Sequence, residues 1–409
     1  MEKVSKNFIW MSAANITNSV LSAILFMYLA RALNVEAFGY LSYASAFAFY
    51  ILNFVDLGLS TYGVREIARN GGRVSELVSD IVSFKFLVAC ALYVVSILIA
   101  LLLWQQPAMV RLLIAGSCLL IFTTAFATEW AFQGMERMHM VFISFTVSAV
   151  LQLGFIYALV KGPHDILKVP VIYFLATVPI LVIFLRRLHF RLNIRHLDTA
   201  KMRLYLSSSL IIWLISICVQ TYNNLDVVIL GFFRTADEVG YFAVARRIVG
   251  GITALTVFLA NAALPRLAHT FQDDISQFRS VTKKFLHLSV ILIVAALIPL
   301  IFFSRQLISI TVGGQYLPAR LPLDIMLAGV IMVLLNMPFS TGLIATGHEK
   351  AVLKQAAASA LLSIVSNFIF IPKYGMIGAS VSFLLVEMFA LAWIIWVYQR
   401  TIGLRFIAS

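Results

Sequence analysis

Residues 240–266 read GYFAVARRIVGGITALTVFLANAALPR, an apolar stretch long enough to cross a membrane as a helix. Two adjacent arginines, Arg246 and Arg247, lie two turns from its start. An arginine in the hydrocarbon region costs about 2.5 to 3.5 kcal/mol on insertion scales, so it is retained mainly where it faces other helices or a watery cavity. The alternative is that both side chains extend to the nearer membrane surface.

An earlier apolar stretch repeats this one at an offset of 201 residues. An acidic residue, Glu36 or Asp237, precedes the repeated segment in each half. The same offset maps the hydropathy of the first half onto the second, which is the signature of a duplicated transporter. The identical pairs are Gly39 and Gly240, Tyr40 and Tyr241, Ala44 and Ala245, Ile51 and Ile252, and Arg65 and Arg266.

The composition of the chain indicates an integral membrane protein. Of 409 residues, 61% are hydrophobic and 12% are charged, which is too little polar sequence to cover a globule of this size. The apolar stretches are continuous rather than alternating, so they predict helices and not a barrel. The net charge of +13 lies mainly at the ends of these stretches, which favours a role in topology over nucleic-acid binding.

We therefore predict an all-α membrane protein with twelve transmembrane helices in two six-helix lobes. The predicted division is an N-terminal lobe over 1–186, a basic cytoplasmic linker over 187–206 and a C-terminal lobe over 207–409. The predicted spans are 8–30, 39–60, 81–104, 110–131, 140–160, 169–186, 207–231, 240–262, 284–303, 322–345, 353–371 and 377–398.

The distribution of basic residues predicts the orientation. With the N-terminus inside, 20 of the 31 Lys and Arg residues fall on the inner side, so the positive-inside rule places both termini in the cytoplasm. Six spans per half is an even number, so both halves enter the membrane in the same direction. The pseudo-twofold axis then runs along the membrane normal, and a cavity is expected between the halves.

The seventh predicted span carries a group of polar residues. Gln220, Asn223 and Asn224 have helical spacing that places them on one face, and lipid cannot satisfy their hydrogen bonds. Asp226 follows them and is positioned to neutralise Arg246 or Arg247 on the next helix. This pair is either a structural ion pair or part of a site for substrate or cation.

Other polar residues within the spans are candidates for transport. Asp56 and Glu129 lie near the cytoplasmic ends of their spans and Glu387 lies near the middle of the last, so with Asp226 they are the ion-coupling candidates. Asn15 and Asn18 mark a polar face in the first span. The spacing of His and Cys residues predicts neither a metal site nor a disulfide, and no phosphate-binding glycine loop occurs, so no cofactor is expected.

Several short strings together resemble the polysaccharide exporters that include the Wzx-type O-antigen flippases, within the multidrug/oligosaccharidyl-lipid/polysaccharide exporter superfamily. They occur in the order and at the spans where that family has them, and they cover nearly the whole chain. The strings are Asp56-Leu57-Gly58-Leu59, Glu129-Trp130 with Phe132-Gln133-Gly134, Asn224-Leu225-Asp226, Gly240-Tyr241-Phe242, Pro265-Arg266, and Tyr374-Gly375 with Gly378-Ala379.

The resemblance implies a V-shaped helical bundle in the bacterial inner membrane that opens alternately to each side. Its expected substrate is an oligosaccharide on undecaprenyl pyrophosphate, moved from the cytoplasmic to the periplasmic leaflet. We expect Arg246 and Arg247, with Arg31 at the outer mouth and Lys85 at the inner one, to bind the anionic headgroup, because arginine suits bidentate phosphate binding. The side chains expected to meet sugar hydroxyls are Asn15, Asn18, Gln220, Asn223 and Asn224.

The expected partners are the lipid-linked oligosaccharide and membrane lipids, with an O-antigen polymerase and glycosyltransferases as neighbours in the same pathway. One alternative is another exporter of the superfamily, for a peptidoglycan precursor or a cationic drug, although a cationic drug favours an acidic cavity. The second alternative is a membrane polymerase. The longest predicted outer segment, about 304–321, contains no carboxylate pair for acid–base chemistry, so we do not expect an enzyme.

Overall fold

The computed structural model describes residues 2–70, 74–103, 106–192 and 198–402. The described chain is built from sixteen α-helices. The first nine are α1 Glu2–Ala32, α2 Val35–Asp56, α3 Leu59–Asn70, α4 Val74–Leu102, α5 Ala108–Ser117, α6 Leu120–Phe126, α7 Glu129–Gly134, α8 Met138–Leu159 and α9 Lys168–Arg187. They are followed by α10 Thr199–Phe233, α11 Ala236–Asp273, α12 Ile275–Leu292, α13 Ile298–Phe302, α14 Ser304–Thr311, α15 Arg320–Ala345 and α16 Glu349–Ile402.

Three short elements connect these helices. Pro163–Asp165 and Gly314–Ala319 are 3₁₀ helices, and Ile293–Leu297 is a π-helical turn that joins α12 to α13. Ten segments of the described residues are long and apolar enough to cross a membrane. The prediction of an all-helical, multi-pass membrane protein is therefore confirmed.

The number of spans depends on how α16 is divided. The predicted spans 353–371 and 377–398 both lie within α16, which contains a non-helical residue, Gly375, with φ 57° and ψ −135°. The predicted span 207–231 lies within α10, which is one helix over Thr199–Phe233. The count of twelve and the twofold relation between halves stay predictions.

The chain forms two compact units, unit 1 over Met1–Ile217 and unit 2 over Cys218–Ser409. The boundary between them falls inside α10, so this helix begins in unit 1 and ends in unit 2. The predicted division instead placed a linker at 187–206, where residues 193–197 lie outside the described part of the chain.

In unit 1, α1 packs against α8, α8 against α9, and α2 against α5 and α6. The core at one end of this unit is formed by Trp130 and Phe132 of α7, Ile81 of α4 and Phe184 of α9. The rings of Phe132 and Phe184 have centroids 4.5 Å apart. Small residues permit this packing, since a Cβ added to Gly63 would lie 2.2 Å from the Trp130 ring.

In unit 2, α15 lies at the centre and packs against α11, α12 and α16. Its Met337, Phe339 and Leu343 join a core with Phe278 of α12 and Tyr398 of α16. These buried contacts hold α11, which contains the arginine pair of the opening stretch, against α15 and α16.

The first helix junction of each half follows the 201-residue offset found in the sequence. α1 ends at Ala32 and α2 begins at Val35, while α10 ends at Phe233 and α11 begins at Ala236. Asn34 caps α2, because its side chain accepts a hydrogen bond of 2.8 Å from the Ala37 backbone N–H. The sequence repeat therefore corresponds to a repeated helix–turn–helix.

Candidate functional site

An ion pair joins the end of α10 to the start of α11. Nε of Arg246 lies 3.7 Å from Oδ2 of Asp226, and the two side chains are 15% and 6% exposed. Asp226 Oδ1 also accepts a hydrogen bond of 2.8 Å from the Val227 backbone N–H. The predicted pairing of Asp226 with one of the two arginines is confirmed, and Arg246 is the partner.

An aromatic ring on α16 forms another side of this site. The Arg246 guanidinium carbon lies 5.0 Å from the centroid of the Phe383 ring, within range of a cation–π interaction. Phe383 packs closely on α15, because a Cβ added to Gly329 would lie 2.7 Å from the ring. The carboxylate of Asp226 on α10 and the ring of Phe383 on α16 thus fix the orientation of the Arg246 guanidinium on α11. Neither Phe383 nor Gly329 was predicted, since nothing in their local sequence indicates this contact.

Arg247 and Glu387 lie beside this arrangement. Consecutive residues of an α-helix project about 100° apart, so Arg247 leaves α11 in a different direction from Arg246, and its side chain is exposed. Glu387 is one turn beyond Phe383 on the same face of α16 and is only 4% exposed. A buried carboxylate in an apolar helix is costly, which keeps Glu387 a candidate for ion coupling.

The polar face predicted for α10 is present for two of its three residues. Nδ2 of Asn224 donates a hydrogen bond of 3.1 Å to Oε1 of Gln220. The side chain of Asn223 lies outside the described part of the structure. The amide pair and Asp226 are close in sequence on α10.

Unit 1 contains a second charged cluster. Lys85 of α4 is completely buried, and its Nζ lies 2.9 Å from Oδ1 of Asp56 and 3.3 Å from Oγ of Ser60. Asp56 keeps 29% of its side chain exposed. Lys85 was predicted to bind the headgroup at the inner mouth, but its ammonium is neutralised within the protein and buried from solvent.

This cluster spans a break between α2 and α3. Leu57 and Gly58 both adopt the left-handed conformation, with φ of 48° and 76°. A Cβ on Gly58 would lie 2.7 Å from the Ser209 carbonyl oxygen, so α10 approaches the break too closely for any side chain there. Because α2 ends at the break, its last carbonyl groups have no partner within the helix. One of them, the Asn53 carbonyl, accepts a hydrogen bond of 2.9 Å from the indole N–H of Trp213.

The remaining predicted residues are spread over unit 1. Glu129, at the start of α7, accepts a hydrogen bond of 2.6 Å from Ser144. Asn15 is half-buried, whereas Asn18 and Arg31 on the same helix are exposed. Among the residues that the structure describes, no group of three or more His, Cys, Asp or Glu side chains is arranged to hold a metal ion.

The helix arrangement is shared with solved membrane transporters. A structure of the lipid II flippase MurJ in an inward closed conformation has a TM-score of 0.76 and 15% identity, and the match covers 95% of this chain and 87% of that one. An inward-facing multidrug resistance transporter of the MATE family, from the MOP superfamily, has a TM-score of 0.68 and 14% identity, with coverage of 98% and 96%. The fold is therefore that of these helical transporters.

The chain belongs to the polysaccharide biosynthesis protein family, whose model matches residues 4–271. It is 23% identical over 404 residues to a putative O-antigen transporter of Escherichia coli K12, a match that covers 93% of each chain. Two further curated relatives are matched over only 41% and 34% of their length. The predicted membership of the polysaccharide exporter family is confirmed.

Proposed function

We propose that this chain is a flippase for an oligosaccharide carried on undecaprenyl pyrophosphate, an O-antigen or similar repeat unit. It would move this lipid from the cytoplasmic to the periplasmic leaflet of the inner membrane by alternating access. Support comes from the family and from a relative of nearly equal length that is named a putative O-antigen transporter. The named relatives and structures are transporters or flippases, which favours transport over polymerisation.

The observation that carries this proposal is the restrained guanidinium of Arg246 beside the exposed Arg247. Pyrophosphate is strongly anionic, and arginine binds phosphate oxygens through several N–H donors in a fixed plane. Asp226 and Phe383 orient Arg246 before the substrate arrives, which lowers the entropy cost of binding. Asp226 also neutralises the charge of Arg246. This lets Arg246 remain in an apolar helix when no substrate is bound.

Other polar residues are proposed to contact the sugar rather than the phosphates. Amides both donate and accept hydrogen bonds, as sugar hydroxyls do, so they suit a neutral oligosaccharide. Arg31 is proposed as a second contact for the headgroup at the outer side. Lys85 is not among the proposed contacts, because its side chain is buried as well as paired with Asp56. The proposed sugar contacts are Asn15, Asn18, Gln220, Asn223 and Asn224.

Ion coupling is proposed for the membrane carboxylates, among which Glu387 ranks first. It lies one turn from Phe383, whose ring contacts Arg246, so a change in its charge acts on the proposed headgroup site. Asp226 and Asp56 are each neutralised by a basic partner, and Glu129 accepts a hydrogen bond from Ser144. These three residues remain candidates for ion coupling, but each already interacts with a partner inside the protein.

The second candidate function is export of a peptidoglycan precursor, which the similarity of fold to the lipid II flippase favours. Such a substrate has the same pyrophosphate, so Arg246 and Arg247 would serve it equally well. Export of a cationic drug is disfavoured because a buried guanidinium repels a cation. The two pyrophosphate substrates differ in their sugars, so mass distinguishes them.

The test is leaflet-resolved mass spectrometry of polyprenyl-linked lipids in cells that lack this gene, with and without a plasmid copy. We expect the complete unpolymerised unit to accumulate on the cytoplasmic side and the plasmid to clear it. The R246A/R247A variant should fail to clear it, while R65A/R69A, which removes two exposed arginines elsewhere, should act as wild type. Amounts of inserted protein are compared on immunoblots.

Four results would contradict the proposal. Accumulation on the periplasmic side would indicate a polymerisation defect, and a unit that lacks a sugar would indicate an assembly defect. Full clearance by R246A/R247A at normal protein levels would remove the role of the arginines. A peptidoglycan precursor as the accumulated lipid would establish the second candidate instead.

A further inference from the structure

A basic cavity lies at one end of unit 1, beside the core that contains Phe132. Its volume is about 320 Å³, and Arg137, Arg187 and His189 line it together with Ser75 and Phe132. The described lining contains no carboxylate. The connections that form it, near residues 74, 137 and 189, all fall on the side predicted to be cytoplasmic. A hydrogen bond of 3.0 Å from Ser75 Oγ to the His189 carbonyl holds two of them together.

Two helices end at this cavity with residues in an unfavourable conformation. α7 is followed by Glu136 with φ 57°, and α9 by His189 with φ 52°. In both cases the next N–H donates to the carbonyl five residues earlier, Arg137 to Phe132 and Phe190 to Leu185, which is the Schellman motif. Glycine is preferred at the left-handed position, and Gly347 occupies it after α15. Strained residues that retain a side chain concentrate at functional sites.

An apolar cavity lies on α9 above the basic one. Its volume is about 510 Å³, and its lining includes Phe126 of α6 with Phe174, Val178 and Leu185 of α9. Residues 174, 178, 181 and 185 follow one face of α9, and the same spacing continues to Leu188 and His189, which line the basic cavity. An apolar surface along α9 therefore leads towards a basic pocket at the C-terminal end of this helix.

We propose that these two cavities bind an anionic glycerophospholipid from the leaflet predicted to be cytoplasmic. The phosphodiester contacts Arg137, Arg187 and His189, and one acyl chain lies along α9 against Phe174 and Val178. Basic pockets at the cytoplasmic ends of membrane helices have the charge and position that such headgroups require. A cavity of this volume has room for one phosphate and its glycerol. The site is independent of the proposed transport function.

The first test measures lipid binding to the purified full-length protein by native mass spectrometry. Mixed micelles contain phosphatidylglycerol or phosphatidylcholine at equal mole fraction. We expect wild type to retain phosphatidylglycerol preferentially and R137A/R187A to lose that preference by roughly tenfold or more. R65A/R69A removes the same number of exposed charges on the same predicted side and should behave as wild type. Equal loss in both double variants would overturn the proposal, because it would indicate attraction to the whole surface.

A pair of glycine variants separates the side chain of His189 from its role in the turn. H189G and E136G both relieve a left-handed residue, so neither should lower thermal stability. H189G should reduce phosphatidylglycerol retention several-fold, whereas E136G, which removes an acid, should maintain or increase it. Unchanged retention in H189G would exclude the imidazole from the site. This test does not depend on the arginine variants folding normally.

A third experiment identifies the source of the phosphate. V178W fills the apolar cavity and should reduce retention of phosphatidylglycerol while the basic cavity is intact. Farnesyl pyrophosphate is then offered as a short analogue of the substrate carrier, and inorganic phosphate as the headgroup alone. Displacement of phosphatidylglycerol by the farnesyl compound at equal concentration would assign the site to the substrate and overturn the proposal. Binding of inorganic phosphate with no effect of V178W would also contradict it.

Discussion

The side chains of Asp226 and Arg246 are paired across the α10–α11 junction, with 3.7 Å between Oδ2 and Nε. The two residues are twenty positions apart, and the turn between their helices is short. Both charges are largely removed from water, so each depends on the other for its stability in an apolar environment. This pairing explains how the opening stretch retains Arg246 two turns inside an apolar helix.

Removal of one partner should therefore cost more than removal of both. We expect D226N to lower the free energy of unfolding by about 3 to 5 kcal/mol, because a buried guanidinium is left without its carboxylate. The double variant D226N/R246Q should recover most of this loss without recovering export. Thermal unfolding followed by size-exclusion chromatography measures the stability. Equal losses in the single and double variants would show that the pair contributes nothing through its charges.

Gly329 allows Phe383 to reach Arg246, so a methyl group there should displace the ring. A Cβ would lie 2.7 Å from the ring, and overpacking of this kind costs about 1 to 3 kcal/mol. We expect G329A to lower both thermal stability and export. The control is G250A, where nothing lies within 4 Å and alanine should favour the helix by about 1 kcal/mol. Export by G329A at the wild-type rate would show that the ring position is not required.

Loss of Asp56 should destabilise the protein more than loss of its partner Lys85. Lys85 has 1% of its side chain exposed and Asp56 has 29%, so only the carboxylate can return to water. We expect D56N to cost about 3 kcal/mol or more, K85M to cost clearly less, and K85M/D56N to fall near K85M. The comparison requires chemical or thermal unfolding of all three variants. A larger loss in K85M than in D56N would contradict the assigned burial.

Gly375 divides α16 and should tolerate alanine poorly. Its φ is 57° and its ψ is −135°, and a Cβ would lie 1.9 Å from Oε2 of Glu238, which accepts a hydrogen bond from the Met376 N–H at 3.0 Å. G375A should lose more than about 2 kcal/mol through strain and collision together. G347A, with φ 78° and open space, should lose about 1 to 2 kcal/mol from strain alone. Similar losses for both variants would show that the Glu238 contact can shift freely.

Periodicity and charge in the sequence were enough to predict the helical membrane fold and the pairing of Asp226. Both depend on residues near one another along the chain, because the α10–α11 junction is short and the helix spacing is fixed. Phe383 was missed because its contact with Arg246 joins residues 137 positions apart, and Gly329 because it contacts Phe383, 54 positions away. The pairing of Lys85 with Asp56 was not predicted, since it depends on how α2, α3 and α4 meet, which hydropathy does not describe.

The repeated helix junction at Ala32–Val35 and Phe233–Ala236 bears on the history of the chain. At the same offset, Asp226 and Arg246 correspond to Leu25 and Ser45, while Asp56 and Lys85 correspond to Val257 and Leu286. Each ion pair thus has an uncharged counterpart in the other half. If the halves descend from one ancestral segment, they have since specialised, and each now holds a charged pair that its sister lacks.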